Sequence, residues 1–170
     1  DDLPVVNFDS VKECYCKKVN RWMQLPRSAA ALYCDRETLY LVEFKNGSLK
    51  ETLGKRLNPK DDEELGINLG QRDALIEKCK DSVLICSDLW GKRTRWFREH
   101  CVFVLVYNED KNKTALKRVA SSIRKKARFG LPDKLKGFCV KDVLTLTEKE
   151  FSTSLLSTWR DAEEIAEVDA

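Results

Sequence analysis

Two residues open the functional question. Glu43 and Lys45 stand two apart in Leu39-Tyr40-Leu41-Val42-Glu43-Phe44-Lys45, which the residue types mark as a strand. At strand spacing they point to one face, with Leu39 and Leu41, while Tyr40, Val42 and Phe44 occupy the other. Both faces are apolar where the strand begins, so it is expected to be central. Two charges at the end of a buried strand are costly unless they face a polar cleft or are paired. The pair also suits phosphoryl chemistry. A carboxylate can hold Mg²⁺ or Mn²⁺, which activates water, and a lysine beside it can position that water or neutralise charge developing at phosphorus.

The elements that must position this pair are legible on either side of it. Residues 9–24 read as a first helix, capped by Asp9 or Ser10 and ended by Pro26. Residues 29–34 form a short apolar run, joined by the polar turn Asp35–Thr38 to the strand of Glu43 as a β-hairpin. Gly54 to Gly70 reads as a long polar loop, of a length that is usually functional, and a flap over the substrate face is its expected role. A helix follows, capped by Asn68 with Gln71 three residues on, with Leu75, Ile76, Cys79, Val83 and Cys86 as its apolar stripe. Cys101–Tyr107 is apolar on both faces and reads as a covered strand. A helix over 113–128, a strand over 138–146 and a helix capped by Thr147 and Glu150 complete the order. The expected fold is α/β, with a mixed central β-sheet flanked by helices in the order α-β-β-α-β-α-β-α. Residues 1–160 are expected as one domain and 161–170 as an acidic, flexible tail.

The segment Leu32–Gly47, with Glu-x-Lys ending the second strand of a hairpin between two helices, resembles the PD-(D/E)XK, or restriction-endonuclease-like, superfamily. The similar order of elements covers residues 9–128. The resemblance implies a metal-dependent nuclease that cleaves phosphodiesters in nucleic acid with Mg²⁺ or Mn²⁺. It assigns Glu43 to the metal and Lys45 to catalysis. Glu13 matches the acid of the first helix, and Lys78, or alternatively Gln71, matches the residue from the second. The family's hairpin aspartate should fall near Ala29–Ala31, where this chain has three alanines; Asp35 is the nearest acid. That departure keeps a second function in view: an inactive nuclease-fold module that binds nucleic acid or a protein partner. A third is an interaction module on another α/β fold, with Glu43 and Lys45 as surface residues.

The charge balance leans the same way. Lys and Arg number 31 against 28 Asp and Glu, a net charge of +3, but the distribution is uneven. Lys92, Arg93, Arg95 and Arg98 are interleaved with Trp90, Trp96 and Phe97, where cations could meet phosphates and rings could stack on bases. At strand spacing the same run reads as a strand with a solvated charged face. Between Lys111 and Lys136, ten basic residues face one acid, Asp133. Of these, Lys117, Arg124, Lys125 and Arg128 lie off the apolar stripe of the expected helix and are candidates for phosphate contact.

The 7 cysteines form no CxxC pair, and Cys14, Cys16 and His100 fit no zinc spacing. They read as free thiols of a reducing compartment. With no basic leader before an apolar stretch and no apolar run near the roughly 20 residues of a membrane span, the expectation is a cytoplasmic protein that does not engage membranes.

Overall fold

The computed structural model describes residues 3–19, 25–35, 37–49, 67–112 and 129–168. Its order is β1 (Val6–Asn7), α1 (Phe8–Val19), β2 (Ala31–Asp35), β3 (Thr38–Lys45), α2 (Leu69–Trp90), α3 (Thr94–His100), β4 (Cys101–Tyr107), α4 (Pro132–Leu135) and β5 (Asp142–Thr147). The C-terminal helical stretch comprises α5 (Glu148–Glu150), a π-helical segment (Phe151–Leu156) and α6 (Ser157–Val168). The strands form one sheet in the order β1-β2-β3-β4-β5. β1, β2 and β3 pair antiparallel, and β3, β4 and β5 pair parallel. The mixed sheet flanked by helices is therefore the architecture the sequence pattern implies.

The alternation of β3 sorts its side chains as expected. Leu39 and Leu41 join the core under α2, with Leu75, Ile76, Cys79 and Val83, and the aligned β4 residues Cys101, Phe103, Leu105 and Tyr107 extend that face. Val42 joins the opposite core with Tyr33, Val102, Val104 and Trp159, and Tyr40 packs against it. Because β4 is buried at every position, it needs apolar residues on both faces. Each fully buried leucine here contributes roughly 2 kcal/mol.

Both expected caps form. Asn68 accepts from Gln71 N at 3.3 Å, and α2 ends at Gly91, whose positive φ of 62° suits glycine. Thr147 and Glu150 close a reciprocal capping box. Trp159 then seats the C-terminal stretch, stacked on Tyr33 with ring centroids 4.2 Å apart.

Three local readings differ from the sequence expectation. Residues 94–100 are a helix, not a strand. Phe97 turns inward, Trp96 packs against the core, and Arg95 pairs with Glu99 one turn on. The last strand starts at Asp142, because residues 137–140 make a turn in which Gly137 has φ 73° and its N–H donates to Val140 O. Phe138 is exposed there, under the Lys80 ammonium. The helix α6 runs on to Val168, through most of the segment expected as a flexible tail. The helix expected over 113–128 lies outside the described residues, as do residues 54–66 of the expected flap.

Candidate functional site

The site starts from the buried end of β3. Glu43 is 2% exposed, beside Leu105 of β4 in the parallel register. A lone carboxylate there would be costly, and two ammonium groups answer it. Lys78 Nζ lies 2.8 Å from Glu43 Oε1 and 3.0 Å from Oε2. Lys45 Nζ lies 3.4 Å from Oε1. Lys78 sits at the margin of the apolar stripe of α2, so its stem runs along the core while its head reaches Glu43. The side chains of Lys45 and Lys78 remain 38% and 24% exposed, so the cluster opens toward water on its cationic side.

The height and rotation of α2 are fixed by the segment leading into β2. Ala29 N donates to Ser82 Oγ at 2.9 Å, and Ser82 Oγ donates to Lys78 O at 2.7 Å. Arg27 N donates to Asp81 Oδ2 at 2.9 Å. The Ala29 and Arg27 bonds tie α2 to that segment about one turn from Lys78, and the Ser82 hydroxyl links the first of them to the backbone of Lys78.

A second carboxylate lies within the field of Lys78. Asp9, in the first turn of α1, accepts from Ser28 Oγ at 2.7 Å and Lys12 Nζ at 2.9 Å. The Ser28 hydrogen bond, then the Lys12 ammonium, hold its carboxyl below the usual value, and the field of Lys78 adds to this. Asp9 reads from sequence as a helix cap, but Asn7 takes that role, its Oδ1 accepting from Ser10 N at 3.2 Å. The Asp9 side chain is thereby free to face Ser28. Since Asn7, Asp9 and Ser10 are all good caps, residue type alone does not choose among them.

The Lys45 end of β3 is pinned by Asn112, which sequence reading also missed. Its Oδ1 accepts from Leu49 N at 2.9 Å, and its Nδ2 donates to Asn108 O at 2.7 Å and Gly47 O at 3.3 Å. Asn68 N donates to Leu49 O at 2.8 Å, and the ring of Phe129 meets Tyr107 at 5.1 Å, edge to face. Tyr107 is the register partner of Lys45. The described flanks of residues 50–66 and 113–128 thus all lie at the Lys45 end of the sheet. Lys117, Arg124, Lys125 and Arg128 themselves lie outside the described residues.

Several expected site residues are not brought together. Asp35 pairs with Thr38 at the hairpin turn, five residues and about 17 Å along β3 from Glu43. It also belongs to the opposite face, where its charge acts on Tyr40. Glu13 is exposed on α1, whose inner side carries Phe8, Val11, Tyr15 and Cys16. Gln71 donates to Ser48 O at 3.3 Å, two turns before Lys78. Lys92, Arg93 and Arg95 lie around the start of α3, which leads into Cys101, the partner of Leu39. Six residues separate Leu39 from Lys45, so this basic patch lies about 20 Å away, at the opposite end of the sheet. Lys92 rests over the Trp96 ring at 5.7 Å, and His100 packs on the same indole.

The hairpin register also locates the alanine run. The described ladder ends at Ala31, which pairs with Val42, and Ala30 precedes it at a bend, so the alanine run lies where β2 begins, next to the Glu43 end of β3. Among the described residues no three His, Cys, Asp or Glu side chains converge as a metal site. The donors present do not fit a divalent ion: both oxygens of Glu43 are held by Lys78, Asp9 is engaged by Lys12 and Ser28, and the residues leading into β2 are alanines.

Compared with known proteins, the chain matches no family model, no curated protein and no solved structure. No helix among the described residues is long and apolar enough to cross a membrane.

Proposed function

We propose that this chain binds nucleic acid through the cationic mouth formed by Lys45 and Lys78, on a nuclease-like fold whose metal chemistry is incomplete. The observation that carries this reading is the state of Glu43, ion-paired to two lysines, together with alanines at 29–31 where the resemblance expects an acid. Glu43 neutralises one ammonium, so the three groups together carry one net positive charge. That is enough to receive an anionic phosphate oxygen and too few carboxylates to hold Mg²⁺ or Mn²⁺ against it. The basic stretch of sequence between Asn112 and Phe129 has both its flanks at this mouth, which favours a long polyanion over a small ligand.

The test is fluorescence anisotropy with single- and double-stranded DNA and RNA over a salt series. Lys45→Ala and Lys78→Ala should each weaken binding and lower the salt slope by about 1. Unchanged affinity and slope in both variants would remove the mouth from the account and favour a protein partner.

One observation favours a second reading, in which the chain cleaves. Asp9 lies near enough to Lys78 to feel its charge, and it could replace the hairpin acid from the helix side. Mn²⁺-dependent cleavage by the unaltered chain, lost in Asp9→Ala, would establish that reading.

A further inference from the structure

The carboxyl ends of β3, β4 and β5 carry a polar cluster that the proposed mouth does not use. Asn46 follows Lys45 directly, and Asn108 follows Tyr107, the register partner of Lys45. Asn46 Oδ1 accepts from Asn108 Nδ2 at 3.1 Å and from the Lys111 ammonium at 3.5 Å. Asn108 Nδ2 also donates to Glu148 Oε1 at 3.3 Å. Two donors, one of them charged, therefore polarise the side-chain carbonyl of Asn46.

The next residue completes a reactive pair. Asn46 and Gly47 form the one Asn-Gly step of the chain, and both are exposed. The backbone is held on either side of the Gly47 nitrogen: Lys45 O accepts from Asn108 N at 3.0 Å, and Gly47 O accepts from Asn112 Nδ2 at 3.3 Å. Among the described residues the Gly47 nitrogen donates to no acceptor, and neither does Asn46 Nδ2. Gly47 has no side chain to hinder its own nitrogen, and the space where a Cβ would stand is open. A nucleophile and an electrophile held in one exposed bend react as a single molecule, so orientation raises the rate steeply.

We propose that Asn46 is a self-modifying residue, converted to a carboxylate by attack of the Gly47 nitrogen, with Asn108 and Lys111 as the donors that stabilise the intermediate. The Gly47 nitrogen gives its proton to water and attacks Asn46 Cγ. A C–N bond forms, and negative charge develops on Oδ1. That oxygen already faces Asn108 Nδ2 and Lys111 Nζ, which stabilise it as an oxyanion hole does. The Cγ–Nδ2 bond then breaks, Nδ2 takes up a proton from water, and ammonia leaves. Water opens the cyclic imide at either carbonyl, and the product is aspartate or isoaspartate. The new carboxylate stands next to Lys45 in sequence and within reach of Lys111. Its consequence rests on the nucleic-acid reading: the added charge offsets the net positive charge of the mouth and loosens its hold on phosphate.

The test incubates the folded chain in mildly alkaline buffer and follows every asparagine by peptide mass mapping, beside the same chain unfolded in guanidinium chloride. Asn46 should convert first, and at least as fast folded as unfolded. Lys111→Ala should slow it severalfold in the folded chain and leave the unfolded rate alone. Gly47→Ala, which the open space accommodates, should suppress it in both states. The proposal is overturned if Asn46 converts more slowly folded than unfolded, or if Lys111→Ala leaves the folded rate unchanged. Asn46→Asp stands in for the product and should weaken DNA and RNA binding about fivefold at low salt, the effect of one charge near an ammonium in water. If Lys45→Ala weakens binding and Asn46→Asp does not, the consequence falls and the nucleic-acid reading stands. If neither weakens binding, that reading falls, and the mass maps alone decide the chemistry.

Discussion

The two ends of the sheet carry similar residues under different physics. At the Lys45 end, Glu43 is nearly enclosed, and its partners come from the same strand and from α2, far apart in sequence. At the other end, Arg95 is 82% exposed and pairs with Glu99 one helical turn away. The first cluster ties a strand to a helix and cannot be loosened without stranding charge in the core. The second is a local surface pair that water and salt can replace. Charged residues near aromatic or apolar runs therefore mark a site only when burial and convergence from separate elements accompany them.

The contrast can be broken by substitution. Glu43→Ala leaves two lysine heads at the core margin and should cost about 3 kcal/mol, the lower end for a severed buried pair because both lysines reach water. Urea unfolding would read this. Lys78→Met removes the closer partner and should cost about 2 kcal/mol in the same assay. Thr147→Ala removes the capping box of the C-terminal stretch and should cost about 1 kcal/mol. Asp9 sharpens the comparison through pH. Its folded pKa lies below the ordinary 3.8, so its stabilisation is present above that value and lost as pH falls through the folded one. The fall in stability below about pH 4 should be shallower in Asp9→Asn, by a small margin because the side chain is half exposed. Arg95→Ala should leave unfolding unchanged; a loss as large as that of Lys78→Met would erase the distinction between the two ends.

Sequence periodicity carried most of the fold. The hairpin, α2 with its Asn68 and Gly91 ends, the covered strand β4 and the Thr147 capping box all rest on local rules. Residues 94–100 misread because a seven-residue stretch with aromatics among charges satisfies strand and helix spacing alike; only the inward turn of Phe97 separates them. Glu43 and Lys45 were legible because a charge on an apolar strand demands a partner, whereas Lys78 came only from the resemblance, and the structure pairs it with Glu43. Glu13 came from the resemblance, as the acid of the first helix, and Asp35 was the acid nearest in sequence to the alanine run. Rotation about α1 and the parity of β2 place them elsewhere, while Asp9 was hidden behind its equal fitness as a cap. Asn112 carried no signal, since its three bonds join segments that only the fold brings together.

We propose that one missing acid in the alanine run at 29–31 separates this site from metal binding. Isothermal titration of Mn²⁺ into the unaltered chain and into Ala30→Asp tests it directly. The account predicts no site-specific heat for the unaltered chain, and binding by Ala30→Asp that disappears when Glu43→Ala is added. Mn²⁺ binding by the unaltered chain that is abolished by Glu43→Ala would contradict it.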